Sequence, residues 1–198
     1  DAIDLWLGAS TDFSAEKEKK TNAGGQLIVF LSAKGGTGVS SLCANLATCL
    51  FQHKPQARVV VLDSVLPIGS IAFIVGYDGK MDLPTAASLP PEKTDETFFR
   101  ENLPELPAWR FHLLAGSPDP ESSSNLNVER LGQILQKIMT AYDYIFIDIG
   151  HSLSNFVLPL IQQADLIALV ISPDMGAIKL TRIIWKYLIT EKLLFSTH

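Results

Sequence analysis

Hydrophobic and polar positions follow two different patterns along this chain. Short continuous apolar runs, rich in β-branched residues, predict strands that are buried on both faces. Between them, apolar residues recur three and four positions apart, which predicts helices with one buried side. The predicted strands cover residues 27–32, 57–63, 111–116, 142–148 and 165–172, and the predicted helices cover residues 40–54, 127–142, 154–164 and 176–195.

This alternation of strands and helices predicts an α/β fold. We expect a parallel, doubly wound sheet with right-handed crossovers and helices on both of its faces. Ligands of such sheets bind at the carboxyl ends of the strands. The segments in which functional residues are expected are therefore 32–40, 63–68, 115–117, 148–152 and 172–175.

Two regions depart from the regular pattern. Residues 1–26 open with an apolar stretch and become polar and glycine-ended, which predicts a linker or the tail of an upstream domain, or a short helix that docks on residues 27–198. Residues 77–108 contain five prolines, so any helices there must be short. We expect this second region to be an excursion between the second and third strands.

The composition is typical of a globular protein with one hydrophobic core. The 198 residues are 47% hydrophobic, with a mean hydropathy of +0.21, and are sufficient for one well-filled core. The net charge of −5 argues against a broad nucleic-acid surface. Cys43 and Cys49 lie on different sides of one predicted helix, so we expect reduced, buried thiols and a cytoplasmic protein. No apolar run reaches the roughly 18 residues of a membrane span.

The loop after the first predicted strand has the composition of a phosphate-binding loop. Gly35, Gly36 and Gly38 allow successive backbone N–H groups to point inward at an anion, and the following helix adds its positive N-terminus. Ser40 occupies the position of the P-loop hydroxyl that binds Mg²⁺, but the usual lysine before it is Val39. The alternative is an ordinary glycine turn.

Two aspartates end predicted strands close to this loop. Asp148 follows four apolar residues in "YIFID", which is a Walker B pattern, and we expect it to accept a hydrogen bond from Ser40 or from a Mg²⁺-bound water. Asp63 closes the second strand, where a carboxylate can hold a metal-bound water. The alternative for either residue is a helix cap or an isolated strand-end charge.

The stretch from Lys34 to Ser40 resembles the deviant Walker A loop of the ParA/MinD-type ATPases, x-K-G-G-x-G-K-[ST], at every position except Val39. The resemblance implies a P-loop NTPase that binds ATP and Mg²⁺ and dimerises through its nucleotide face. It implies that Lys34 crosses to the partner's phosphates and that Asp63 lies near Mg²⁺ and the attacking water, which makes these two the candidate catalytic residues. The implied metal ligands are Ser40, Asp63 and Asp148, and the implied nucleotide-binding residues are Lys34, Gly35, Gly36, Thr37, Gly38, Val39, Ser40 and Ser41.

Departures from the family pattern imply weak or absent hydrolysis. The family continues Asp-x-Asp where this chain has Asp63-Ser64-Val65, so the second carboxylate is missing together with the loop lysine. Phosphoryl transfer depends on charge neutralisation and positioning, so we expect hydrolysis to suffer more than binding. Family members also continue into a strand that carries an adenine-recognising asparagine. We expect either that the C-terminus is truncated here or that the base pocket is reduced.

A narrower resemblance is to the CpaE/TadZ pilus-assembly group, carried by residues 60–76, 111–123, 142–155 and 168–184. It implies a receiver-like upstream domain and a spatial regulator of the type IV-like Flp/Tad pilus, placed at a cell pole or at the inner membrane through pilus or secretion machinery proteins. Two alternatives remain open: a nucleotide-free scaffold, and an active partition or positioning ATPase. Val39, the missing carboxylate and the net negative charge argue against an active partition or positioning ATPase. His151 is expected to be a polar loop residue.

Overall fold

The computed structural model describes residues 24–151, 153–154 and 157–190. Within these residues, six strands form one sheet in the spatial order β3-β4-β2-β5-β1-β6. All neighbouring pairs are parallel except β3 with β4. The strands are β1 (Gln26–Ser32), β2 (Val59–Asp63), β3 (Glu105–Leu106), β4 (Phe111–Leu114), β5 (Tyr144–Asp148) and β6 (Leu166–Val170).

Helices connect the strands and cover both faces of the sheet. They are α1 (Val39–His53), α2 (Ile71–Val75), α3 (Leu83–Ser88), α4 (Glu96–Asn102), α5 (Pro120–Ser124), α6 (Val128–Ala141), α7 (Leu158–Gln163) and α8 (Met175–Thr190). Side chains of α1 and α2 share one buried cluster with the sheet. Side chains of α3, α4, α6, α7 and α8 share the cluster on the opposite face.

The sequence pattern explains this two-layered core. Leu27, Val29 and Leu31 of β1 point to one cluster, while Phe30 points to the other, as the period of two in a strand requires. Every residue of β2 is buried, which fits a strand with a helix layer on each side. The predicted parallel sheet with helices on both faces is therefore confirmed.

Several details differ from the expectations. The antiparallel strand β3 was missed because two residues are too few to show alternation. Residues 77–108 do form short helices, α3 and α4, as their prolines require. Cys43 is buried as expected, but the prediction for Cys49 was wrong: it is exposed, because only one side of α1 packs on the sheet.

Some expectations fall outside the described residues. They include the linker or upstream tail, except for residues 24–26, and the end of the last helix at 191–195. Within the described residues, no helix is both long and apolar enough to cross a membrane.

Strand β6 forms one edge of the sheet that the described residues build. None of its five residues is buried, and Leu166 is 58% exposed. Helix α8 follows it and carries further exposed apolar side chains, including Met175 and Ile183. Within the described residues, this side of the sheet is thus far less covered than its centre.

Candidate functional site

Adjacent strands bring the predicted site residues together at the carboxyl ends of the strands. Strand β1 lies between β5 and β6, and β5 lies between β1 and β2. Asp148 is in register with Phe30 on β1 and with Asp63 on β2. The glycine loop, which follows β1, and the two aspartates therefore lie side by side at the carboxyl ends of three neighbouring strands, where ligands of parallel sheets bind.

The loop has the backbone conformation that its glycines predict. Gly36 and Gly38 have φ angles of 77° and 81°, in the left-handed region that only glycine adopts without strain. A Cβ atom added at either residue would find no described atom within 4 Å, so both face open space. Gly38 caps the 15-residue helix α1, which has no side-chain cap and no acidic residue in its first turn. Its free N–H groups and partial positive charge suit an anion.

Asp148 lies at the centre of the site and is fully buried. Its Oδ1 accepts a hydrogen bond of 2.8 Å from the backbone N–H of Gly150. Its Oδ2 is buried without a hydrogen-bond partner among the described residues. Burial raises the pKa of Asp148, and the nearby Ser40 hydroxyl and the Gly150 amide oppose this rise. Ser40 lies close by but forms no hydrogen bond to Oδ2. An unpaired carboxylate oxygen in such a position is a candidate cation ligand.

Ser40 is tied to the segment that follows β2. The Ser70 hydroxyl donates a hydrogen bond of 2.8 Å to Ser40 Oγ. Ser70 precedes α2, so this contact joins the start of α1 to the start of α2. The remaining hydroxyl of the loop, on Thr37, is buried without a partner among the described residues. Ser41 is exposed on the first turn of α1.

Asp63 has a different environment from the one expected of a metal ligand. Its Oδ1 accepts from the backbone N–H of Val65 at 3.0 Å, and its Oδ2 accepts from those of Ser70 and Ile71 at 2.7 and 2.8 Å. Burial raises the pKa of Asp63 to about 6, against the opposing effect of these N–H donors. Asp63 therefore holds the chain between β2 and α2, which fits the strand-end and helix-cap alternative.

The same chain segment is packed without free space against the end of β4. A Cβ atom on Gly69 would lie 2.6 Å from the Cα of Gly116 and 2.7 Å from Asp63 Oδ2. The N–H of Gly69 also donates to the carbonyl of Ser117 at 2.8 Å. Glycine is required at position 69 because two backbones and a carboxylate meet there.

Lys34 has a partner within its own chain. Its Nζ lies 3.2 Å from Oδ1 of Asp174, and the two side chains are 46% and 44% exposed. Asp174 also accepts from the Ser172 hydroxyl and from the N–H of Ala177, and these bonds, together with Lys34, hold its pKa well below the ordinary value. The sequence indicated residues 172–175 as a strand end, but nothing in it singled out Asp174.

Val39 is directed away from the loop's polar groups. It is 8% exposed and belongs to the buried cluster that contains Cys43 and Ile71. The side chain that replaces the usual P-loop lysine therefore contributes to the core. Charge at the loop comes from the backbone and from Lys34.

Comparisons with known proteins agree with this fold. No family model matches the chain. A ParA family ATPase from Chlorobium tepidum superposes with a TM-score of 0.76 at 23% identity, covering 83% of this chain and 68% of the neighbour. The septum site-determining protein MinD from Pyrococcus horikoshii, solved with Mg-ADP, gives a TM-score of 0.66 at 20% identity, covering 84% and 65%. The chain has the ParA/MinD P-loop ATPase fold.

The sequence comparison finds an ATP-binding protein and a septum site-determining protein MinD, the latter from Synechocystis at 23% identity over 78% of this chain and 56% of the relative. An uncharacterized ATP-binding protein of Methanocaldococcus jannaschii is 26% identical over 151 residues, which is 76% of this chain and 54% of the relative. The chain spans about half the length of the curated relatives that it matches. The ParA/MinD fold and these relatives make the glycine loop and Asp148 the candidate nucleotide site.

The residues present fit a nucleotide with a divalent cation. The open cradle of Gly36 and Gly38 offers N–H groups to phosphate oxygens. The unpaired Oδ2 of Asp148 and the hydroxyl of Ser40 are oxygen ligands of the kind that Mg²⁺ prefers. Asp63 fits less directly, since both of its oxygens already accept backbone hydrogen bonds.

Proposed function

We propose that this chain binds ATP with Mg²⁺, dimerises through its nucleotide face and acts as a spatial regulator, with weak or no hydrolysis. The observation that carries the proposal is the pairing of two features in one place. An open glycine cradle caps α1, and beside it Asp148 keeps one buried oxygen without a partner. An abandoned site has no reason to keep an unsatisfied buried carboxylate oxygen, because such an atom destabilises the fold.

The parts of the site have distinct roles in this proposal. The N–H groups of the loop, from Gly35 to Ser41, bind the phosphates, and the Thr37 hydroxyl is a further donor. Ser40 and Asp148 hold Mg²⁺, which supplies charge neutralisation at the phosphates when it is bound. Lys34 leaves Asp174 and reaches the phosphates of the partner subunit, as the family resemblance implies.

Slow hydrolysis follows from two substitutions. Val39 gives the loop no cation of its own, and it packs in the core instead. Val65 stands where the family has its second carboxylate, so this chain lacks that acidic group near the position of the attacking water. Because phosphoryl transfer relies on positioned charge, the loss of both groups reduces the rate of hydrolysis more than nucleotide affinity.

The pilus role rests on sequence resemblance to the CpaE/TadZ group over residues 60–76, 111–123, 142–155 and 168–184. One structural neighbour is a septum site-determining protein, which supports the broader role of a positioning protein. In this proposal the nucleotide-bound dimer docks on Flp/Tad pilus or secretion machinery. The protein is cytoplasmic and reaches a cell pole or the inner membrane through those partners.

One observation favours a second candidate, the nucleotide-free scaffold. Lys34 and Asp63, the two candidate catalytic residues, both have partners inside this chain. A scaffold that had lost its nucleotide would keep such internal contacts for stability. The unpaired Asp148 oxygen and the open glycine loop favour the hypothesis that the chain binds a nucleotide.

Calorimetry with ATP in Mg²⁺ and in EDTA distinguishes these candidates, with sedimentation velocity at the same protein concentration. We expect ATP binding that is tighter with Mg²⁺ and a shift from monomer to dimer. Ser40→Ala should lose most of the Mg²⁺ effect, while Ser88→Ala, which removes an exposed hydroxyl on α3, should retain it. Lys34→Ala should bind ATP and fail to dimerise. Absence of ATP and ADP binding at millimolar concentration would favour the scaffold.

A further inference from the structure

His151 lies over the glycine loop, three residues beyond Asp148. The turn that brings it there is fixed by the N–H of Ser32, which donates to the Gly150 carbonyl at 2.8 Å, and by the positive φ of 65° at Gly150. A Cβ atom placed on Gly35 would lie 3.9 Å from Cε1 of His151 and 4.0 Å from its Nδ1. The imidazole edge therefore lies beside Gly35, next to the open part of the loop.

The His151 ring also borders a small cavity between the segment after β2 and the segment after β5. Its volume is about 80 Å³, and it is lined by Ser64, Val65, Leu66, Ile149, His151, Ser154 and Val157. The Ser154 hydroxyl is buried with no hydrogen-bond partner among the described residues. The cavity lining therefore includes both apolar and polar groups, and it has room for ordered water.

Val65 determines which groups His151 can bind. A carboxylate at position 65 would line the same cavity as His151 and would offer acceptor oxygens there. Valine accepts none, and His151 makes no hydrogen bond to any other residue in the described part of the chain. The ring is exposed and keeps its N–H for a ligand.

We propose that His151 binds the terminal phosphate of a bound nucleoside triphosphate and so makes the site prefer ATP to ADP. The proposal rests on the function proposed above and names the residue that senses the third phosphate. Val39 lies in the core and Lys34 is held by Asp174, so His151 supplies a side-chain donor that faces the loop within one subunit. An imidazole N–H donates well to a phosphate oxygen, and ADP lacks the terminal group.

The test measures the dissociation constants of Mg-ATP and Mg-ADP by calorimetry for the whole chain and for three variants. A hydrogen bond to a charged group predicts that His151→Ala binds ATP about tenfold more weakly, with ADP affinity changed by less than about twofold. His151→Gln keeps a side-chain donor and should recover part of the ATP affinity. His53→Ala is the matched control, since His53 is exposed at the far end of α1 and contacts Cys49.

Each outcome has one meaning. Equal weakening of ATP and ADP in His151→Ala would assign His151 to the shape of the loop and overturn the inference. Unchanged affinity for both ATP and ADP in His151→Ala would overturn it as well, while leaving the proposed nucleotide binding intact. If the unmutated chain binds neither nucleotide, the proposed function and this inference fail together. His151→Gln keeps the inference testable if the alanine variant fails to fold.

Discussion

Lys34 forms an ion pair with Asp174 across two neighbouring strand ends, with 3.2 Å between Nζ and Oδ1. Lys34 follows β1, and Asp174 immediately precedes α8, after β6. The residue that the family resemblance assigns to the partner's phosphates is thus held inside its own subunit. Exposed ion pairs contribute about 1 kcal/mol or less, so a phosphate on the partner can compete for the lysine.

The first prediction concerns this ion pair. Asp174→Asn should hold Lys34 less tightly because it removes the negative charge, while its side-chain oxygen still accepts from the N–H of Ala177. We expect nucleotide-dependent dimerisation at a lower protein concentration, by up to about fivefold for each ion pair broken and so by up to about 25-fold for the two pairs that a symmetric dimer breaks. Sedimentation velocity with Mg-ATP measures it.

The matched control is Asp143→Asn. Asp143 forms an ion pair of similar exposure with Arg58, at the other end of the strands. It should leave the dimerisation midpoint unchanged. Weaker dimerisation in Asp174→Asn would mean that Asp174 positions Lys34 for its partner and does not restrain it.

The second prediction concerns Val39→Lys, which completes the Lys-Ser ending of the loop. A lysine at this position should raise ATP affinity about tenfold through charge-assisted hydrogen bonds and should increase phosphate release. The loss of buried valine surface should cost about 1–2 kcal/mol of unfolding free energy. Calorimetry, a phosphate-release assay and thermal denaturation measure the three effects.

Val39→Ala is the control for this substitution, because it removes core packing without adding a charge. It should lower thermal stability and leave ATP affinity unchanged. An unaltered ATP affinity in Val39→Lys would show that a side chain at this position does not reach the phosphates.

The third prediction concerns pH. Burial raises the pKa of Asp63 in the folded state from 3.8 to about 6, so the folded protein binds this proton more tightly than the unfolded chain. The resulting stabilisation is present below pH 4 and is lost as the pH rises through 6. Unfolding free energy should fall by up to about 3 kcal/mol over this window from Asp63 alone. Burial acts on Asp148 in the same direction.

Urea unfolding at a series of pH values in EDTA measures this dependence. Asp63→Asn should be less stable overall, because it provides fewer acceptors for the three backbone N–H groups, but its stability should vary less between pH 4 and 6.5. An unchanged slope in this variant would assign the pH dependence to other groups.

The fourth prediction compares two glycines. Gly69→Ala places a Cβ 2.6 Å from the Cα of Gly116, so the two backbones must separate, at a cost of about 1–3 kcal/mol. Gly132→Ala, on the exposed side of α6, meets nothing within 4 Å and should stabilise the chain by about 0.5–1 kcal/mol. Chemical denaturation of both variants measures the difference. Equal stabilities would mean that the Gly69–Gly116 contact yields easily.

The architecture could be predicted because it follows from long, regular patterns. The buried runs that became β1, β2 and β5 are apolar on both faces, and α6 has a clear apolar side. The segment around β3 could not be predicted, because its pairing with β4 involves only two residues and depends on tertiary contacts.

At the candidate site, the sequence indicated which residues would lie close together but not which hydrogen bonds and ion pairs they would make within the chain. The loop, Asp63 and Asp148 are adjacent because strand ends in a parallel sheet are adjacent. The three N–H donors to Asp63, the Lys34–Asp174 pair and the position of His151 depend on loop paths and on residues far apart in the chain. Local patterns carry no information about such contacts.

The edge strand β6 has a practical consequence for work with the purified chain. Among the described residues, no strand pairs with the outer side of β6, and such an edge with exposed apolar neighbours such as Leu166 and Met175 is a template for strand pairing between molecules. Such pairing needs no nucleotide, so it should produce turbidity or oligomers whose amount depends on protein concentration alone. A lysine in place of Leu166 should suppress this background, because charged residues on an edge discourage pairing. Preparations carrying that change are the appropriate starting material for measurements of ligand-driven assembly.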